Sequence, residues 1–158
     1  MPMSPYYRKL REKIGTTRIF SPSVVGIVRN PKGEVLCVKD RESQIWGLPA
    51  GAMELGETPA QAIVREMLEE TGLSVRPKKL LGVFGGERFR WTYPDGNQVE
   101  YVIVAFDCEV LGGVLKPQDG EIEAFNYFSV DALPPLPLPY PKSLFSSSEP
   151  SLVRYESE

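Results

Sequence analysis

The chain of 158 residues has no histidine, and its two cysteines, Cys37 and Cys108, lie far apart. Zinc and other metals that prefer nitrogen or sulfur ligands are therefore poorly served. Two cysteines in strand-like runs make no disulfide framework and read as buried thiols. No apolar run approaches the ~18 residues that a membrane-spanning helix requires. The N-terminus also lacks the apolar stretch of a secretory signal. Net charge is only −3, so no global basic field draws the chain to nucleic acid or a membrane surface. A polyanionic ligand would have to be held locally. These absences lead to the expectation of a cytoplasmic protein without membrane contact, and they argue against a long RNA contact. The rest is ordinary for a globular chain, with 42% hydrophobic and 25% charged residues and a length that suits one domain with a real core.

The chemistry is concentrated in one segment, GAMELGETPAQAIVREMLEETGL, from Gly51 to Leu73. Thr58 suits an N-cap, Pro59 suits the first helical position, and Gln61 completes a capping box with Thr58. Gly72 suits the left-handed position that ends a helix. The spacing thus predicts a helix over Pro59–Thr71. At roughly 100° per residue, Glu66, Glu69 and Glu70 share one arc of about 100°. Ala60, Val64, Met67 and Thr71 share a neighbouring arc, expected to pack on a sheet. Arg65 lies one turn before Glu69, where it can pair with it, and Glu57 sits near the positive end of the helix. Glu54, Glu57, Glu66, Glu69 and Glu70 face Arg65 alone, a local charge of −4 (five acids less one base). Acids crowded in this way repel, and at least one should have a raised pKa unless a cation sits among them. A hard divalent cation with oxygen ligands resolves the repulsion, magnesium first and manganese as the alternative. A merely solvated acidic helix face is the competing reading. It fits less well with a single-signed patch that follows a glycine-containing loop of defined length.

These fixed points resemble the Nudix box of MutT-like hydrolases. That pattern is Gly, five residues, Glu, seven residues, Arg-Glu-apolar, one residue, Glu-Glu, one residue, Gly-apolar. Every fixed position is matched, with Met67 and Leu73 as the apolar ones. The entry Trp46-Gly47-Leu48-Pro49-Ala50-Gly51 is also similar to the family, although Ala50 stands where many relatives have glycine. The resemblance covers 21–133 and implies a Nudix-type α/β/α sandwich with a mixed β-sheet there. Residues 1–20 are then a lead-in, and 134–158 a Pro-rich segment and tail. It further implies magnesium-dependent cleavage of a diphosphate linkage in a nucleoside diphosphate joined to another moiety. A nucleoside triphosphate, a nucleotide sugar or a dinucleoside polyphosphate would each qualify.

By the same resemblance, Glu66, Glu69 and Glu70 are metal ligands and the Gly51 carbonyl joins them. Glu57 completes the metal shell or the layer behind it, and Arg65 orients the glutamates. The general base is left between Glu66 or Glu69 and a later acid. In the loop Gln118-Asp119-Gly120-Glu121-Ile122-Glu123, Glu121 falls where relatives carry a late metal-binding glutamate, and Glu123 is next. All three loop acids could equally be solvated. Two alternatives stay open for the whole chain: a non-catalytic nucleotide-binding Nudix-like regulator, and an RNA 5′-end pyrophosphohydrolase. The expected partner is a small nucleotide, and a homodimer is left open.

Elsewhere the pattern predicts a helical lead-in over 6–14 and a hairpin of strands over 23–28 and 34–39 around the turn Asn30-Pro31-Lys32-Gly33. A strand over 79–84 follows. A long hairpin, 87–93 with 98–110, is expected around Pro94-Asp95-Gly96-Asn97. A short strand over 125–128 comes next, and a helix is expected to open at 131–133. In the first strand of the long hairpin, Phe89, Trp91 and Tyr93 alternate with Arg88, Arg90 and Thr92. The aromatics are ring-stacking candidates or core, and Arg88, Arg90, Trp91 and Arg41 are the substrate-binding candidates. Arg18 and Lys39 are further anion-binding candidates. Trp46 is expected to be structural. The proline common beyond the box in ADP-ribose hydrolases is missing near Arg88 and Phe89. Pro134 to Pro141 reads PPLPLPYP. It suits a polyproline ligand or, the preferred reading, an extended segment packed on the domain through Leu136, Leu138 and Tyr140.

Overall fold

The structure is a computed structural model that describes residues 3–118 and 120–146. Asp119 and the tail from 147 onward lie outside the described residues. Helix α1 (Pro5–Ile14) is capped by Ser4. Strands β1 (Ile19–Val28), β2 (Val35–Asp40), β3 (Trp46–Gly47) and β4 (Ala50–Ala52) lead to helix α2 (Pro59–Thr71). Strand β5 (Leu73–Phe84), a 3₁₀ turn over Glu87–Phe89, and strands β6 (Arg90–Thr92), β7 (Gln98–Gly113) and β8 (Ile122–Phe128) follow. Short 3₁₀ turns at Val130–Ala132 and Lys142–Leu144 end the described chain. The class is α/β with a mixed sheet, as expected. The strands divide between a five-stranded sheet, in the order β4-β1-β7-β5 with β6 also on β7, and a three-stranded antiparallel sheet, β3-β2-β8.

The expected hairpin of β1 with β2 does not form. Beyond the turn the two strands share one bridge, Arg29 with Val35. Strand β1 instead runs parallel to β7 over its full length, from Ile19 beside Val99 to Val28 beside Cys108. Apolar side chains bury both faces of β1, so it belongs in the middle of a sheet. Strand β2 crosses to the second sheet, where it pairs with β8. The second hairpin does form, but its first strand is short. Arg90 to Thr92 pair with Glu100 to Gln98, whereas Glu87–Phe89 coil into the 3₁₀ turn.

Two apolar clusters flank β1. One joins Val24 and Val28 to Ala62, Ile63 and Met67 of α2. The other, on the opposite face, joins Val25 and Ile27 to Phe84, Phe89, Leu144 and Phe145. Leu136, Leu138 and Tyr140 pack against this second cluster. Arg29 ties the same end of the chain down by donating to Asp107 at 3.0 Å and to the carbonyl of Phe145 at 3.2 Å. Cys37 and Cys108 are free and buried, and burial pushes their thiols up to about 11 and about 12. Among the described residues, no helix is long and apolar enough to cross a membrane.

Candidate active site

Helix α2 begins and ends as its sequence dictates. Thr58 accepts from the Gln61 amide at 3.1 Å, and Gln61 accepts from the Thr58 amide at 2.9 Å. At the other end Gly72 has φ 77°, and a Cβ there would lie 2.5 Å from the carbonyl oxygen of Val114. Glycine is required on both counts. The helix face that packs on the sheet is only partly the expected one: Met67 and Thr71 belong to it, but Ala60 and Val64 do not. Ala62, Ile63, Glu66, Met67 and Thr71 are buried, whereas Ala60 and Val64 are exposed. Glu66 thus lies inside the packed stripe and not beside it, because the helix is rotated to bring its carboxylate under β4.

Gly51 makes that position available. A Cβ on Gly51 would come within 2.0 Å of the Glu66 carboxyl carbon, so only glycine lets the carboxylate lie against the strand. Glu66 is fully buried. Its Oε1 accepts from Arg65 Nη1 at 2.7 Å, but its Oε2 has no hydrogen-bond partner. Burial pushes its pKa up to about 7, against the pull of Arg65. An unsatisfied buried acceptor of this kind costs on the order of 1–3 kcal/mol, and more when charged.

Arg65 organises the acids around it. It grips Glu57 with two hydrogen bonds, Nε to Oε1 at 2.5 Å and Nη2 to Oε2 at 2.9 Å. It also donates to the Ala52 carbonyl at 3.0 Å. Its expected partner one turn on, Glu69, is reached only at 3.4 Å. A planar guanidinium matches a carboxylate fork, so Glu57 wins. Hydrogen bonding to Glu57 holds Arg65 above its ordinary pKa, and the bond from Arg65 holds Glu57 below the usual carboxylate range. Glu57 Oε2 also accepts from the Glu54 amide at 2.9 Å. Glu70 accepts from the Ala50 amide at 3.1 Å and so fastens the helix to β4.

The late loop reaches the same helix. The amides of Lys116 and Gln118 donate to the carbonyls of Thr71 and Glu69, at 2.9 and 3.3 Å. On its far side, the Arg41 amide donates to the Glu121 carbonyl at 2.8 Å, and Arg41 Nε donates to the Gly120 carbonyl at 3.0 Å. Arg41 therefore ties down the loop that carries Glu121. Glu123 points to Lys39 at 3.5 Å, and a hydrogen bond from Gln44 holds its pKa down. Arg90 is engaged by Glu100 at 2.7 Å and Glu87 at 3.1 Å. Arg88 is exposed on the 3₁₀ turn, and Trp91 is half-buried. Phe89 is wholly buried, stacked near Phe84, and so belongs to the core. Trp46 packs edge-on against Phe128 at 5.1 Å, in keeping with a structural role. Arg18 donates to Gln98 at 2.8 Å.

A sequence profile of the NUDIX domain matches residues 19–146. The chain belongs to the NUDIX family. The match extends past the Pro-rich segment, in line with the packing of that segment on the core. An ADP-ribose pyrophosphatase of Methanocaldococcus jannaschii is 36% identical over 76% of this chain and 68% of its own length. The NAD-capped RNA hydrolase NudC of Pseudomonas aeruginosa is 33% identical over 74% of this chain but only 39% of its own. The chain therefore spans about two thirds of one relative and about two fifths of the other. A solved UDP-X diphosphatase is similar over 87% of this chain and 64% of its own, with 25% identity and a TM-score of 0.65. The expectation of a Nudix pyrophosphohydrolase agrees with the names these relatives carry.

Nudix hydrolases generally use divalent metals. Among the described residues, no three acidic or thiol side chains already close round a common point, because Glu57, Glu66 and Glu69 turn towards Arg65. The donors nonetheless fit a hard cation. They are all oxygen, they carry excess negative charge, and they include the orphaned Oε2 of Glu66.

Proposed function

We propose that the protein hydrolyses the phosphoric anhydride bond of a nucleoside diphosphate joined to a second group, using magnesium, with manganese as a substitute. The observation that carries this reading is the buried, unpartnered carboxylate oxygen of Glu66, cradled against Gly51. Glu66, Glu69 and Glu70, with the Gly51 carbonyl, would hold the cation. Bound there, it would neutralise the diphosphate oxygens and lower the pKa of the attacking water. Arg65 keeps Glu57 and Glu66 in place and donates as well to Glu69 and the Ala52 carbonyl, which suits a positioning role. The water oxygen bonds to one phosphorus, and the bridging oxygen leaves with the other phosphate. The water proton passes to a carboxylate that solvent can reach. The Glu69 side chain is 36% exposed, whereas that of Glu66 is fully sealed. We therefore assign proton acceptance to Glu69 or to Glu121 on the late loop, and ligation alone to Glu66.

ADP-ribose, an NAD cap and a UDP-linked group share one feature, a diphosphate that bridges a nucleoside and a second group. The names of the relatives thus support the substrate class without choosing a member. The test is product release from nucleoside triphosphates, ADP-ribose, UDP-sugars, diadenosine polyphosphates, and capped or triphosphorylated RNA, with and without magnesium. Metal-dependent release of a nucleoside monophosphate from a diphosphate-linked substrate is expected. Nucleotide binding without any turnover would instead make the chain a non-catalytic regulator.

A further inference from the structure

The face of the large sheet turned away from α2 gathers hydroxyl groups that phosphate chemistry does not use. Parallel pairing sets Ser21 beside Tyr101, and antiparallel pairing sets Ser23 beside Ala52, the residue after Gly51. Ser21 and Ser23 are polar yet only 4% exposed. Their hydroxyls lie 3.5 Å apart, and Ser23 also donates to the Ser21 carbonyl. The Tyr101 hydroxyl meets that of Tyr93, and Tyr140 and Tyr7 complete its polar surroundings. Tyr7 donates to the Met53 carbonyl at 3.1 Å, directly after the metal-cradling strand. Helix α1, the turn after β6, strand β7 and the Pro-rich segment each contribute one tyrosine. Burial pushes all four phenols upward, so they stay neutral. Tyr93, at the rim of the group, remains 40% exposed.

We infer that this tyrosine and serine cluster recognises the uncharged ring carried by the diphosphate, with Tyr93 and Tyr101 as specificity-determining residues. The inference rests on the hydrolase reading above and adds the part of the substrate away from the reacting bond. Two observations carry it. The cluster adjoins the cation site: β4 is the edge strand, and strand spacing puts Tyr101 on the order of 10 Å from Ala52. Its groups are neutral donors and acceptors on aromatic rings, which suit a ring with hydroxyl or amide edges. A nucleoside base and a sugar ring both satisfy this chemistry.

The test uses Tyr93→Phe and Tyr101→Phe in the full chain, which keep the rings and remove one hydroxyl each. Calorimetry with magnesium follows binding of uridine and adenosine monophosphates, glucose 1-phosphate and inorganic pyrophosphate. The expected result is about a tenfold loss of affinity for the ring-bearing ligands with pyrophosphate unchanged. The arm that loses most identifies the ring as base or sugar. In turnover, KM rises by a similar factor and kcat stays within about twofold. Equal losses for pyrophosphate, or variants indistinguishable from wild type, would overturn the inference. If the wild type turned over no substrate, the hydrolase reading would fail, and the binding arm would still decide this one.

Discussion

The two faces of the large sheet near β4 solve opposite problems. On the helix side a fixed negative charge is concentrated and partly buried, and one guanidinium holds three carboxylates in place. On the other side the polar groups are uncharged hydroxyls that face one another. The first arrangement costs stability in the absence of a cation and gains a strong ligand preference. The second costs little and discriminates by shape and hydrogen bonding. A diphosphate with a neutral ring attached needs both kinds of surface, side by side.

This contrast can be broken in several ways. The largest effect is expected from Glu69→Gln, which removes a proposed ligand and proton acceptor from a helix that keeps its caps and its packed face. The value of kcat should fall by about 10²–10³-fold while far-UV circular dichroism stays unchanged. A rate near wild type would remove the acidic face from the chemistry.

Next in size is a pH effect in metal-free protein. The Glu66 carboxyl titrates near 4.5 when unfolded and at about 7 when folded. The folded state therefore binds the extra proton between these values, and stability from this group declines as pH rises from about 4.5 through about 7. The decline should amount to about 3 kcal/mol at most. Chemical denaturation of wild type and Glu66→Gln across pH 5–8 reads it, since the variant should not show the decline. Magnesium should raise the melting temperature more at pH 8 than at pH 5, in wild type and Tyr101→Phe alike but not in Glu66→Gln. Equal stabilisation of all three proteins would erase the difference between the faces.

Gly51→Ala should come third. Its Cβ would sit 2.0 Å from the Glu66 carboxyl carbon, and the resulting displacement should cost about 1–3 kcal/mol of stability. Calorimetric uptake of magnesium should weaken in step. The smallest effect is expected from Arg76→Ala. Arg76 and Glu109 approach within 2.5 Å, but their side chains are 64% and 40% exposed. Denaturation midpoints should shift by less than about 1 kcal/mol, in contrast to the enclosed Arg65 network.

Legibility in the sequence followed the range of the interactions. The cap at Thr58, the stop at Gly72 and the grouping of Glu66, Glu69 and Glu70 depend on neighbours within a few residues, and the structure reproduces the helix end for end. The rotation of that helix did not follow from its own pattern. Ala60 and Val64 are apolar enough to be buried, yet contact with Val24 and Val28 selected Ala62 and Ile63. Arg65 does pair with Glu69, at 3.4 Å, but its tighter partner was not legible, for a similar reason. Helical spacing favoured Glu69, but the loop after β4 brings Glu57 into a better fork. The tyrosine cluster left almost no trace in sequence. Tyr7, Tyr93, Tyr101 and Tyr140 sit in unrelated stretches of sequence. Tyr93 belongs to an alternating aromatic row, and Tyr140 reads only as a packing residue of the Pro-rich segment.

The amino-acid order by itself determined the acidic helix, its boundaries and its excess of acid, because each depends on spacing along a single turn or two. Tertiary structure alone decided that β1 leaves its sequence neighbour for β7, that Glu66 is sealed under Gly51, and that four distant tyrosines share one face. Those outcomes turn on which apolar faces are buried together, and the pairing of residues eighty positions apart is set by the fit of the whole core.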